Sequence, residues 1–388
     1  MIRITMLLLL SVSTIMTSMA QPAPKRVILF MIDGLHWEAP EKLNMPVFNS
    51  LINQGTYIQK SYMIVPHHPK IGDYSKFNSC SFPNPVLHQG TIFLSSENKM
   101  IQEVFSPKQQ TAFVVNTPAY KSVGRGFSTC IMDATLSDNQ VVNQAIKILQ
   151  TQNPVFMRVH LQTAGGKGYE VSQSTPDKPY YRNIYGENSP YIKAVENADI
   201  LLGQFIAFLK ESDMWNETIL IITSDHGQSK IGWHPLFDED SWMTPLLFIG
   251  PGIAQGRQLS YFEHTDLAPT IAGLLGEPPP NTNGGTGFSI KEIMKNNDAS
   301  HYHPTMYIKT LNRQIKEFNF LKARMIIASE DDSYFSIIIA LLDNNFSPAG
   351  PFNDQDKILD WYKAGTTTNL IETNETILKQ MRQTLVEK

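Results

Sequence analysis

Two short apolar runs, far apart in the chain, each end in a carboxylate that meets a glycine: Val27-Ile-Leu-Phe-Met-Ile-Asp33-Gly34 and Ile219-Leu-Ile-Ile-Thr-Ser-Asp225-His226-Gly227. Strands buried on both faces of a parallel sheet read as continuous hydrophobic runs. Their carboxyl ends share one edge, where open α/β sheets place ligands. An acid at a strand end can do no more than cap the next helix. Two such ends, one with a histidine attached, predict that Asp33, Asp225 and His226 meet at that edge as a metal site.

The surrounding pattern fits this reading. From residue 26 to about 275, short β-rich runs alternate with amphipathic segments, which predicts an α/β fold with a mainly parallel central sheet flanked by helices. Strands are expected over 26–32, 111–115, 155–160, 218–224 and 245–249. A helix is expected after Ser189-Pro190, a cap residue and a first-turn proline. Ile192, Val195, Leu202, Phe205 and Leu209 form its apolar face. The turn-rich Pro278-Pro-Pro-Asn-Thr-Asn-Gly-Gly follows a helix over 266–275 and closes the main unit. The expected division is 21–290 for that unit and 291–388 for a smaller α+β piece. In the latter, the run Phe335–Leu342 reads as strand or buried helix, and Glu372–Lys388 as a surface helix.

With 388 residues, 42% of them hydrophobic, the chain can bury a large core. A net charge of -4 and no basic run leave no nucleic-acid surface evident. Arg3, the apolar stretch from Met6 through Ile15 and Ser18-Met19-Ala20 read as a cleavable export signal over residues 1–20. An exported protein, periplasmic or secreted, is therefore expected, with no membrane span after signal removal. Cys80 and Cys130 are the two cysteines, too few for a disulfide framework or a cysteine metal cluster. Acceptor sequons start at Asn216, Asn345 and Asn374. The sequence leaves the oligomeric state open.

Further segments carry candidate chemistry. Ser79-Cys80-Ser81-Phe82-Pro83-Asn84-Pro85 offers a hydroxyl or thiol on a proline-broken loop. His264-Thr265-Asp266 brings an imidazole just before a helix, and Gly232-Trp233-His234-Pro235 follows the Asp-His-Gly closely. With Thr223-Ser-Asp225-His226-Gly227, and Thr244-Pro-Leu-Leu-Phe-Ile-Gly-Pro-Gly252 leading to Asp266-Leu-Ala-Pro-Thr-Ile-Ala-Gly-Leu-Leu-Gly276, the chain resembles the alkaline phosphatase superfamily. That group includes the sulfatases and the nucleotide pyrophosphatase type of phosphodiesterase. Asp360-Trp361-Tyr362 through Asn369-Leu370 is similar to the closing segment of sulfatases.

The resemblance implies that Asp33, Asp225 and His226 hold the metal that activates the nucleophile, and that His264 matches a ligand of the second metal in two-metal members. The chemistry agrees, since carboxylate and imidazole suit zinc or manganese, with calcium as a further option. Where two-metal members carry a Pro-Asp-x-x-Gly-His-like loop, this chain has Gln162 and Gly166 for the acid and the histidine. One divalent metal is therefore expected, with His264 an extra ligand or a contact to the leaving group. Ser81-Phe-Pro-Asn84 resembles the Thr-Phe-Pro-Asn of the phosphodiesterases, which makes Ser81 the expected nucleophile; Cys80 has the better spacing to Gly90. Sulfatases modify a Cys or Ser within Cys/Ser-x-Pro-x-Arg, and here Pro85 stands where the arginine belongs. The reading is a hydrolase of phosphate esters, phosphodiesterase-like, acting on a small-molecule or carbohydrate ester. Sulfatase action on sulfated carbohydrate is the alternative, and a degenerate sugar- or anion-binding member the non-catalytic one. His234 reads as a loop histidine or a catalytic acid. His67 and His68 read as surface or substrate contacts.

Overall fold

The computed structural model describes residues 24–63, 85–88, 91–94, 99–235, 238–280, 287–328 and 367–386. Its strands are β1 (Arg26–Ile32), β2 (Thr56–Tyr62), β3 (Pro85–His88), β4 (Thr91–Leu94), β5 (Thr111–Val115), β6 (Thr129–Met132), β7 (Phe156–Leu161), β8 (Thr218–Thr223), β9 (Met243–Ile249), β10 (Arg257–Gln258) and β11 (Phe262–Glu263). The described helices are α1 (Ala39–Lys42), α2 (Pro46–Ile52), α3 (Asp138–Gln152), α4 (Thr163–Ser172), α5 (Pro190–Glu211), α6 (Leu267–Leu274), α7 (Tyr307–Ala328) and α8 (Thr367–Val386).

The main sheet runs β10-β2-β9-β8-β1-β7-β5-β6, with β11 beside β2 and β3-β4 a separate hairpin. The pairs β1-β8, β1-β7, β7-β5 and β5-β6 are parallel, while β9 runs antiparallel to both β8 and β2. The five expected strands all form, within two residues at their ends. Strand β1 shows why its run is unbroken. Ile28, Phe30 and Ile32 enter the core beneath α3 and α5, whereas Val27, Leu29 and Met31 enter the opposite core with Leu267 and Ile271 of α6. Alternate side chains point to opposite faces, so a two-sided core requires apolar residues at every position.

Helix α5 begins as its sequence predicts, with Ser189 Oγ accepting from Tyr191 N–H. Val195, Leu202, Phe205 and Leu209 are fully buried under the sheet. The helix delivers the chain to β8 and hence to Asp225.

Beyond the sheet, α7 and α8 pack on each other through Phe318, Leu321 and Met325 against Ile377, Leu378 and Met381. The terminal helix therefore starts at Thr367 and is half of a buried pair, because its apolar positions keep helical spacing. Asn374 is fully buried and donates to Gln314 Oε1 at 3.1 Å, so this sequon is no glycan acceptor in the folded protein. Residues 335–342 lie outside the described residues, as does Asn345. Among the described residues no helix is long and apolar enough to cross a membrane.

Glu263 ties α7 to the sheet. Its buried Oε1 accepts from Tyr261 Oη at 2.6 Å and from Ile308 N–H at 2.9 Å. Burial pushes this carboxyl up to about 7, outweighing those two hydrogen bonds. Between the ordinary glutamate value, about 4.3, and about 7, the folded protein holds a proton that the unfolded chain has lost. Stability is thus full below that window and falls as pH rises through it. Glu263→Gln keeps an acceptor and is expected to flatten this fall. It should raise the melting temperature at pH 8 by about 2 °C or more relative to wild type. Melts from pH 4 to 8 check it, and an unaltered slope in the variant would count against the assignment.

Candidate metal centre at the carboxyl edge of the sheet

The carboxyl ends of β1, β7 and β8 are adjacent, and each carries polar residues at or just past its end. Asp33 follows β1, His160 sits next to last in β7, and Asp225 and His226 follow β8 by two and three residues. All four are buried: Asp33 is 7% exposed, Asp225 1%, His226 4% and His160 0%. His226 Nε2 lies 3.9 Å from Asp33 Oδ1 and 3.7 Å from Asp225 Oδ2. His160 Nε2 lies 3.8 Å from both Asp33 Oδ2 and Asp225 Oδ1. These gaps exceed a hydrogen bond, yet they suit atoms that share one cation.

The proton positions separate the two histidines. Nδ1 of His226 is 2.8 Å from the Gly227 carbonyl, which can only accept, so the neutral ring carries its proton there and turns the Nε2 lone pair toward the acids. His160 is the reverse. Arg158 Nη2 donates to its Nδ1 at 3.1 Å, and a guanidinium never accepts, which leaves the ring proton on Nε2. Burial holds this ring neutral, its pKa pushed down to about 3 despite Asp225, with Arg158 and His226 adding to the fall. The hydrogen-bond neighbour of this Nε2 is the side-chain amide of Gln162, at 3.1 Å, rather than either carboxylate, while Asp33, Asp225 and His226 present lone pairs.

Charge balance points the same way. Arg158 is wholly buried, its guanidinium 4.6 Å from the Phe113 ring centroid and 5.0 Å from that of Tyr120. It brings one positive charge near two buried carboxylates. Burial alone would raise Asp225. His226, His160, a 2.7 Å hydrogen bond from Tyr120 Oη and Arg158 together hold it well below the ordinary range. A divalent cation fits the residual negative charge, and the three lone-pair donors fit a catalytic site with open positions.

The first turn after β1 is clamped from several sides. Tyr191 Oη donates to Gly34 O and accepts from His36 N–H, and Thr244 Oγ1 donates to Leu35 O, each at 2.9 Å. Above Asp33 lies α4, whose segment Thr163-Ala-Gly-Gly-Lys-Gly is the loop that lacks the second-site acid and histidine. A Cβ on Gly165 would sit 1.5 Å from Asp33 Oδ1, and one on Gly168 would sit 1.7 Å from Gln228 Nε2. Glycine at these places lets the helix backbone press directly on the acid.

The other candidates fall as follows. His264 lies on the same sheet edge, but three strands away. There it meets Ser61 Oγ of β2 at 2.9 Å, and the hydroxyl in turn donates to Thr244 O at 2.7 Å. The structure does not bring it into the Asp33, His160 and Asp225 group. His234 packs its ring on His226, centroids 4.1 Å apart, and so stands beside the cluster. Lys167 is paired with Glu170 at 2.7 Å, and Asp240 accepts from Trp37 Nε1 at 2.8 Å. Ser81, Cys80, His67 and His68 lie outside the described residues. Sequence reasoning passed over His160, Arg158 and Tyr120. Polar residues two apart in the otherwise apolar Phe156–Leu161 strand were the available signal, because a buried strand seldom carries them unpaired.

With that geometry in view, the profile described as Sulfatase matches residues 78–277, just over half of the chain. The chain belongs to the sulfatase family. Arylsulfatase K of Mus musculus is 32% identical over 116 residues, which cover 28% of this chain and 20% of that protein. Choline-sulfatase of Rhizobium meliloti is 32% identical over 133 residues, 33% of this chain and 24% of that protein. The chain thus matches about a fifth to a quarter of these relatives' length. The phosphonate monoester hydrolase of Silicibacter pomeroyi superposes with a TM-score of 0.55 at 15% identity, covering 72% of this chain and 78% of that one. That likeness shows the fold, the helix-flanked and mostly parallel sheet of the alkaline phosphatase superfamily.

For this sulfatase-family site, Gly165→Ala is expected to displace the Asp33 carboxylate and weaken manganese or zinc binding by about tenfold or more. Gly166→Ala, with nothing within 4 Å of its added carbon, should bind as wild type does. Calorimetric titration of both variants, with circular dichroism to verify folding, decides it. Equal affinities would show that the helix does not position Asp33.

Proposed function

We propose that this protein hydrolyses anionic esters, phosphoric esters first among them, with one divalent cation held by Asp33, Asp225 and His226. The observation that carries the reading is the convergence of two buried carboxylates and the His226 lone pair across gaps of 3.7 and 3.9 Å. Carboxylate and imidazole donors favour zinc or manganese, with calcium a hard-ligand option. When bound, such a cation stabilises a nucleophile's negative charge and polarises a phosphoryl or sulfuryl oxygen.

The chain's own residues would do the rest. Tyr120 holds Asp225 by donating to it, His160 packs against both acids, and Arg158 fixes the His160 ring by donating to its Nδ1. Ser81 is the proposed nucleophile, attacking in line through its hydroxyl, with Cys80 as the competing group. His234, ring to ring with His226, is the proposed proton donor to the leaving group. His264 stays a proposed auxiliary group, acting through its contact with Ser61.

A sulfuric ester is the second reading. It is favoured by the Sulfatase match and by arylsulfatase K and choline-sulfatase as relatives. Phosphate is placed first because Pro85 stands at the position of the arginine that directs modification of the sulfatase nucleophile.

A hydrolysis screen separates these readings. Aryl phosphate monoester, aryl phosphate diester and aryl sulfate are each supplied with zinc, manganese or calcium, and the Cys80–Ser81 peptide is weighed by mass spectrometry. The expected outcome is phosphoester turnover abolished by a chelator, an unmodified peptide, and a loss on the order of 10²- to 10³-fold in kcat for Asp225→Asn. Turnover of sulfate alone with a modified side chain would establish the second reading. Metal binding without any turnover would leave a binding protein and overturn both.

A further inference from the structure

A column of aromatic rings climbs from the metal centre to the surface. His226 packs on His234 at 4.1 Å between centroids, His234 stacks on Trp233 at 4.1 Å and 29°, and Tyr169 of α4 meets Trp233 edge to face at 4.8 Å. Tyr169 is 47% exposed, and Trp233 is partly so. The inner end of this column is His226, beside Asp33 and Asp225, and its outer end is open to solvent.

The backbone holds Trp233 in a conformation that tryptophan rarely adopts. Its φ is +63°, in the left-handed region where a bulky side chain is an outlier. The preceding Gly232 has φ +91°, and a Cβ there would lie 2.4 Å from Gly168 O and 2.6 Å from Ser172 N. Trp233 N–H donates to Gly168 O at 3.2 Å, and its carbonyl accepts from Ser229 N–H at 2.8 Å. The turn is therefore locked onto α4, the helix that also covers Asp33. A strained aromatic over-determined by its neighbours and stacked on His234 beside the candidate metal centre is a feature of ligand-binding positions. The indole is not spent in the main cores, which close without it.

We propose that Trp233 and Tyr169 form the subsite for the alcohol part of the ester, and that this part carries a six-membered ring with an apolar face. The inference rests on the proposed function for the identity of the reacting group, but not for the ring contact itself. A phenol-type ring and the C–H face of a pyranose share the chemistry these side chains recognise. A short alkyl ester reaches the cation without touching the platform, which makes the ratio between ring and alkyl esters the informative quantity. Trp233 and Tyr169 are binding residues here, with no share in proton transfer.

The test compares wild type, Tyr169→Leu and Trp233→Leu on 4-nitrophenyl phosphate and sulfate, glucose 6-phosphate and 6-sulfate, and ethyl phosphate and sulfate. The expected result is a fall of about three- to tenfold in the ratio of kcat/KM for ring over ethyl ester in both variants, carried by KM. The arm that falls further tells a phenol from a pyranose. Because Trp233 sits in a strained turn, Tyr169→Leu on the exposed helix face keeps the test sound if the other variant misfolds. An unchanged ratio in the folded variants would overturn the proposal, as would an equal loss for every ester. Should no ester be hydrolysed, the proposed function fails by itself. Saturation transfer from the protein to the ring protons of phenyl phosphate, present in wild type and lost in Tyr169→Leu, then still decides the ring contact, and its absence in wild type overturns it.

Discussion

Two carboxylates buried side by side are the constraint around which this molecule is arranged. Taking a carboxylate out of water costs several kcal/mol even after relaxation, and two of them repel each other besides. Asp33 and Asp225 tolerate that position because the neighbouring groups either donate or carry positive charge. Tyr120 donates to Asp225, His160 Nε2 lies 3.8 Å from both acids, and Arg158 supplies a buried charge. None of these can substitute for a cation between the carboxylates. These neighbours hold Asp225 well below the ordinary carboxylate range, and the ionised form is the one a metal requires.

The requirement reaches into the fold through the parallel sheet. Three neighbouring strands must end in register for Asp33, His160 and Asp225 to converge, and pairing of β1 with both β7 and β8 achieves this. Register in such a sheet is set by two-sided burial, since a slip of one residue would exchange the residues facing the two cores. Packing beneath α3, α5 and α6 is thereby coupled to site geometry. Loss of one core side chain in β1 would be felt at Asp33 as well as in stability.

Much of this was legible in the chain. Apolar runs ending in Asp-Gly and Asp-His-Gly specified strands and the acids at their tips, because burial and edge chemistry leave a local imprint. The cap at Ser189-Pro190 did the same for α5. Strand direction left no such imprint: β9 reads like its parallel neighbours yet runs antiparallel, as apolar residues pack alike in either sense. Arg158 and His160 were legible only as polar residues in a buried strand, and their pairing with each other depends on a face that one strand alone cannot identify. His264 shares the edge with the acids, and sequence spacing carries no measure of distance across a sheet. The contribution of Glu263 depends on burial supplied by α7, forty-five residues away.

The segment Thr163-Ala-Gly-Gly-Lys-Gly shows how one site differs from two. In two-metal relatives the resemblance places an acid and a histidine in this loop. Here Gln162 and Gly166 stand at those positions, Gly165 lies against Asp33 and Gly168 against Gln228. An acid projecting from a backbone so close would displace Asp33 rather than accompany it. Gly165 therefore accepts no side chain while Asp33 keeps its place, whereas Gly166, where the resemblance puts the histidine, has nothing within 4 Å of an added carbon. Close approach of α4 brings another consequence. Gly165 seats the helix on Asp33, and Gly168 O accepts from Trp233 N–H, so ligand geometry and the aromatic column share one helix. Movement of this one helix would therefore reach both the candidate metal centre and the aromatic column beside it.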